Sequence, residues 1–161
     1  MAPRRRASLR GGAVRRVAAL YTLYHYDDPH EPIREVRRVL RPGGLFAACS
    51  PSRDSTPELA HVLPDWGRSS TFDAEDSPSI VASVFDATGD RVEVLRWDAP
   101  MQTLTDVDYA AAFLRSAGMM SERAARAAAS TLDLPLTLTM RGCFVYATKG
   151  EPDREEPRAI A

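Results

Sequence analysis

The chain has 161 residues, 44% hydrophobic and 27% charged, with a formal net charge of −1. That is enough for one domain with a real core, and no apolar run approaches the roughly 20 residues a membrane-spanning helix needs. The N-terminal arginines are not followed by an uninterrupted apolar segment and a small-residue cleavage site, so no signal peptide is read and a cytoplasmic protein without a membrane partner is expected.

Residues 1–16 carry six arginines (Arg4, Arg5, Arg6, Arg10, Arg15 and Arg16) and no acid. The rest of the chain sets 15 basic residues against 22 acids, a balance of −7. Such a split suits either a nucleic-acid arm or a leader without fixed structure. Arginine outnumbers lysine 20 to 1 and alanine is abundant, as expected of a GC-rich coding sequence. Out-of-frame DNA of that kind also translates into Arg, Ala, Gly and Pro. MAPRRRASLRGGAVRR is therefore read as a disordered or mis-assigned leader, and nucleic acid is not the expected partner.

Val17–Leu23 (VAALYTL) is a short, nearly continuous apolar run, which suits a strand buried on both faces of a mainly parallel sheet. A polar loop with Pro29 and Pro32 follows. A helix is predicted over Ile33–Leu40, where Ile33, Val36, Val39 and Leu40 make one apolar stripe. Arg41-Pro42-Gly43-Gly44 should stop it sharply, and Leu45–Ser50 reads as a second buried strand. Residues 51–72 read as a long polar loop, and a short helix is expected over Ser77–Phe85. Arg91–Trp97 alternates like a half-exposed strand. Thr105-Asp106 can cap a helix over Val107–Ser116, and Ser121 can cap another, rich in alanine. Leu136–Thr148 reads as a strand kinked or bulged near Gly142, and the charged tail from residue 150 as disordered. The domain is thus expected over 17–149.

Strong catalytic motifs are scarce. Cys49 and Cys143 lie inside strand-like runs and read as two buried thiols. Asp27-Asp28 with His30 has metal-ligand residue types, but adjacent acids before a proline are turn formers, and no metal is expected. No Ser/His/Asp or Cys/His order carries a nucleophile signature.

Tyr21–Ser50, YTLYHYDDPHEPIREVRRVLRPGGLFAACS, resembles the second half of a class I S-adenosylmethionine-dependent methyltransferase core, of the type 11 or UbiE-like kind. The upstream LYH loop joined to RVLRPGG carries the likeness; RVEVLRW and GCFVYATK extend it through residue 149. The resemblance implies an α/β fold: strands four to seven of a Rossmann-like methyltransferase sheet with flanking helices, mostly parallel with an antiparallel last strand. It implies methyl transfer from S-adenosylmethionine to a small-molecule acceptor. Mapped by position, Leu20, Tyr21 and His25 stand where relatives flank the methionine moiety of the cofactor, and Tyr24 where they line an acceptor pocket. Catalytic residues are not assigned. This family mostly aligns an acceptor with an activated sulfonium, so little covalent chemistry is asked of the protein.

The departures are equally specific. There is no G-x-G-x-G, and no strand-end acid for the ribose, so a truncated copy lacking the glycine-rich cofactor loop is expected, with upstream DNA encoding that loop in another frame and joining near Ala18. Without a strand beside it, 17–23 would be an unguarded apolar edge, so a homodimer through that strand is expected. The alternative function is a non-catalytic remnant acting as a binding or dimerisation module.

Overall fold

A computed structural model describes residues 10–64, 71–118 and 120–151. In chain order the elements are strand β1 (Val14–Leu20), helix α1 (His30–Val39), strand β2 (Leu40–Pro51), helix α2 (Ser77–Val84), strand β3 (Arg91–Leu104), helices α3 (Val107–Gly118) and α4 (Glu122–Ala129), and strand β4 (Leu136–Thr148). Short 3-10 turns occupy Leu23–His25 and Pro57–Leu59. The sheet order is β1-β2-β4-β3. β1 and β2 pair in parallel, while β4 runs antiparallel to both β2 and β3. Three strands therefore point one way and the last runs against them, as the resemblance implies.

The first strand begins at Val14 and ends at Leu20, three residues earlier at each end than its apolar pattern suggests. Arg15 and Arg16 are thus strand residues rather than leader; both are exposed on an edge strand, where long charged side chains cost little. Residues 1–9 of the expected leader and 152–161 of the expected tail lie outside the described residues. α1 begins earlier than predicted, at His30, because Asp28 Oδ1 accepts a bond from the His30 amide at 2.9 Å and satisfies a free N–H of its first turn. Pro29 is the N-cap, and Asp28 closes the turn before it, as adjacent acids before a proline suggest. The Asp28 carboxyl lies below the usual range, chiefly through that amide.

α1 stops at Val39 and Leu40 is already extended. Between Leu40 and Leu45 the β1–β2 register shifts, with Leu40 beside Val14 and Leu45 beside Arg16. Gly43 there has φ +68°, and a Cβ on Gly44 would stand 2.7 Å from the Arg41 carbonyl oxygen. Glycine is what lets the chain double back so tightly. The orphan carbonyls at the end of α1 are met from across the sheet: Lys149 Nζ donates to the Arg37 oxygen at 2.9 Å and the Leu40 oxygen at 2.8 Å. Beside it Arg37 pairs with Asp90 at 2.9 Å, whose side chain is 2% exposed.

Two cores result. The first lies between one sheet face and α1 and α2, joining Phe46, Ala48, Cys143, Val145 and Ala147 to Ile33, Val81 and Phe85. Phe46 and Phe85 stack at 6.0 Å. Phe46, Ile33 and Leu40 are fully buried, each contributing roughly 1.5–3 kcal/mol. The second core packs Leu104 and Leu138 against Leu59, Ala110, Leu114, Ala125 and Ala129. Ala125 and Ala129 form the buried stripe of α4, four residues apart, and their small side chains let α3 approach closely.

β3 runs on to Leu104, past the Trp97 expected from its alternation, and its register shifts between Pro100 and Gln102. The irregularity expected near Gly142 is thus on the opposite strand; β4 is regular throughout. Gly142 has a different purpose. A Cβ there would meet both the Ser50 carbonyl oxygen and the Trp97 ring at 2.7 Å, so its absence lets the indole lie across β4.

One face of the sheet stays open over much of its area. Register places Leu20, Cys49, Phe144 and Leu95 in one cross-strand row, and Ala18, Ala47, Tyr146 and Glu93 in the next. Leu20 and Leu95, at the two edges, are 52% and 56% exposed.

Candidate functional site

Parallel strands deliver their carboxyl ends to one side of a sheet, and in open α/β sheets ligands bind there. In this protein those ends are Leu20 of β1 and Pro51 of β2. The last rung of their ladder is the Tyr21 amide donating to the Cys49 oxygen at 3.0 Å. Tyr21 then takes φ +51°, a left-handed conformation that a non-glycine residue holds only when its surroundings fix it. Thr22 Oγ1 donates to the Leu20 oxygen at 2.8 Å and starts the 3-10 turn, while Leu23, 4% exposed, plugs the first core. Thr71 Oγ1 ties the far side of the loop by donating to the Tyr26 oxygen at 2.7 Å.

The four residues expected from sequence fall into two pairs. Leu20 is an exposed apolar side chain on the open face. Tyr21 follows it; burial of its hydroxyl end, followed by the neighbouring Cys49 thiol, pushes its phenol up to about 12, although the residue as a whole is 38% exposed. The Tyr21 hydroxyl also points to Met140 Sδ at 4.0 Å. Tyr24 and His25 form the second pair, with ring centroids 4.4 Å apart and planes tilted by 53°. Tyr24 is half-buried against the first core, and His25 is exposed.

Residues that sequence reasoning missed complete the open side. Cys49 is 2% exposed, and burial raises its thiol despite opposing contacts from Tyr21 and Trp97. The Trp97 indole Nε1 is near that thiol but outside hydrogen-bond geometry, a buried donor without a partner. Only the alternation of RVEVLRW hinted at Trp97, and nothing local links it to Tyr21, because β2 and β4 both come between β1 and β3. Cys143 sits on the opposite face, where its sulfur meets Ser77 Oγ at 3.2 Å and Ser50 Oγ at 3.7 Å. Both cysteines are free and buried, as their strand settings suggest.

A pocket of about 210 Å³ opens on the loop after β2, lined by Arg53, Ser55, Thr56, Leu63 and Arg141 among others. None of the four expected residues lines it. Its arginines are paired with acids, Arg53 with Asp73 at 2.7 Å and Asp76 at 2.6 Å and Arg141 with Asp98 at 3.5 Å, but the Nε of each is buried without a hydrogen-bond partner. The same clamp fixes the loop, since Ser52 Oγ donates to Glu75 Oε1 at 2.7 Å and the Arg53 amide to Glu75 Oε2 at 3.2 Å.

S-adenosylmethionine is the group the resemblance implies, and the residues at the strand ends fit one end of it. Leu20 offers an exposed apolar side chain and Tyr21 a backbone turned away from the sheet, while the Cys49 thiol and the Trp97 indole nitrogen are buried. The acids nearest in sequence, Asp27 and Asp28, lie on the following loop, and Asp28 is engaged with His30. Nothing among the described residues at the ends of β1 and β2 fits the ribose.

Among the described residues no helix is long and apolar enough to cross a membrane. The methyltransferase domain family model matches residues 5–48. No curated protein matches the chain. Among solved structures, the YcgJ protein of Bacillus subtilis superposes with a TM-score of 0.57 at 17% identity, covering 89% of this chain and 67% of that one. A methyltransferase candidate of Bacillus halodurans C-125 gives 0.50 at 12%, with 91% and 68% covered. An S-adenosylmethionine-dependent methyltransferase of Thermotoga maritima gives 0.50 at 13%, with 89% and 60% covered. The chain therefore spans between three fifths and about two thirds of each of these relatives. In sequence over residues 5–48, and in fold over most of its described length, the chain resembles the class I S-adenosylmethionine-dependent methyltransferases.

Proposed function

We propose that the chain is part of an S-adenosylmethionine-dependent methyltransferase acting on a small molecule, and that it contributes the wall beside the reactive sulfur. The supporting observation is the Leu20–Tyr21 corner at the carboxyl end of a parallel pair, inside the segment that matches the methyltransferase domain. When bound, the cofactor would supply an activated methyl group on a sulfonium. Leu20 would exclude water from one side, and the Tyr21 main chain would flank the methionine moiety. Tyr24 and His25 would line the acceptor side, where the His25 ring is exposed. The work asked of these residues is alignment and exclusion of water, each of which lowers the barrier without a covalent intermediate.

A second reading, a non-catalytic binding module, rests on the open sheet face. Calorimetric titration with S-adenosylmethionine separates the two. The methyltransferase reading expects saturable binding, weaker than that of proteins that also grip the ribose. Absence of binding would leave the binding module.

A further inference from the structure

The loop after β2 runs back along β4 and is locked to it. The Ser52 amide donates to the Arg141 oxygen at 2.8 Å, and the Thr56 amide to the Thr139 oxygen at 2.7 Å. Thr56 is 3% exposed and held at φ +51°, a left-handed conformation that a β-branched residue keeps only where its surroundings fix it. The pocket of about 210 Å³ on this loop is therefore built before any ligand arrives. Its lining joins apolar Pro57, Leu63 and Pro64 to Arg53 and Arg141. The Nε of each arginine is buried without a hydrogen-bond partner among the described residues. Glu75 stands 3.4 Å from the first and Asp98 3.5 Å from the second, and neither forms the bond. A buried donor left unpaired is costly, and one well-placed acceptor would remove that cost.

We infer that this pocket binds a small uncharged carboxamide, whose carbonyl oxygen accepts from the two arginines and whose apolar body lies against the prolines and Leu63. Charge decides the class. The two guanidiniums stand among five carboxylates: Asp73, Glu75 and Asp76 around Arg53, Asp98 beside Arg141, and Asp54 in the lining. An anion drawn to the arginines is repelled by a larger number of acids. A protonated amine has no lone pair to offer the orphan donors. An amide oxygen carries two lone pairs and no net charge, so it meets guanidinium N–H groups without that repulsion. The NH₂ of the same amide suits the Asp54 carboxylate, an acceptor in the same lining. Neither Leu20 nor Tyr21 lines this pocket, and the inference goes beyond the proposed methyl transfer without depending on it.

The test titrates the full 161-residue chain with benzamide, benzoate and benzylamine, three probes that share a ring and differ in head group. Nitrogen-15 spectra that include the arginine Nε–H resonances give the readout. Benzamide should shift the Arg53 and Arg141 Nε–H signals saturably, while benzoate and benzylammonium bind about tenfold or more weakly. Arg141→Lys keeps the charge but loses the planar fork, and should weaken benzamide binding about tenfold. Ala60→Phe, at an exposed position of the lining, narrows the pocket without touching either arginine. It should weaken benzamide binding as much while leaving the denaturation midpoint in place. Benzoate binding as tight as that of benzamide, saturation that leaves both Nε–H signals unmoved, or benzamide binding indifferent to both substitutions would each overturn the proposal. So would failure of all three probes to bind, which would leave the orphan nitrogens to water alone.

Discussion

The Tyr21 amide donates to the Cys49 carbonyl at 3.0 Å, and in the same residue the backbone swings to φ +51° and leaves the sheet. This one corner ends the parallel ladder, turns Leu20 to the open face and tucks the phenol against Cys49 and Met140. Its titration follows from that tucking. The phenol is raised from 10.0 to about 12, so below pH 10 it is protonated both folded and unfolded. Between 10 and about 12 only the unfolded chain loses the proton, and stability must fall as pH rises through that window. Tyr21→Phe should remove part of this alkaline loss, read as urea midpoints across the window together with phenolate absorbance.

Lys149 is the chain's sole lysine, and it caps the end of a helix more than a hundred residues away in sequence. Lys149→Met keeps the apolar stem and leaves the Arg37 and Leu40 carbonyls without their donor. A loss of about 1–2 kcal/mol is expected, measured by chemical denaturation.

Gly142→Ala should be costlier than its size suggests. The new methyl would collide with the Ser50 carbonyl and the Trp97 ring, neither of which is the loose end of a flexible side chain. Roughly 1–3 kcal/mol of destabilisation and a change in tryptophan emission are expected. An unchanged midpoint would mean that Trp97 does not lie across this glycine.

The loop after β2 should be acid-sensitive. Burial alone would raise the Glu75 carboxyl, but the Ser52 hydroxyl and the Arg53 amide outweigh it and hold the group below its ordinary 4.5. Because the folded value is depressed, its contribution is present above that pH and lost as pH falls below it. Glu75→Gln should cost about 1–2 kcal/mol near neutrality, and the difference from the parent chain should shrink in acid, as thermal scans at several pH values would record.

The parallel pair, its crossover helix and the antiparallel last strand are legible because each is written locally: apolar runs, a 3.6-residue stripe, and a Pro-Gly-Gly stop. The boundaries of β1 are not. Arg15 and Arg16 look like leader by composition, yet an edge strand carries charge freely, while Thr22 and Leu23 continue the apolar pattern only because Leu23 is buried from a turn rather than from a strand. Asp28 reads as a turn former from its neighbours, and its carboxylate closes that turn onto the His30 amide. Gly142 suggests a bulge because glycine in a strand has two common uses, and sequence cannot choose between backbone irregularity and room for a ring. Cys49 and Trp97 join the candidate site unannounced, since only the β1-β2-β4-β3 order sets the end of β2 and the middle of β3 in one sheet with the Leu20–Tyr21 corner.

Under the proposed function the Leu20–Tyr21 corner faces the methionine end of the cofactor. Amide chemical shifts followed during titration test it directly, with S-adenosylmethionine in one series and adenosine in another. Shifts confined to Leu20, Tyr21 and the turn through His25, produced by S-adenosylmethionine and not by adenosine, are predicted. Equal responses to both compounds, or movement only at residues remote from that corner, would contradict the account.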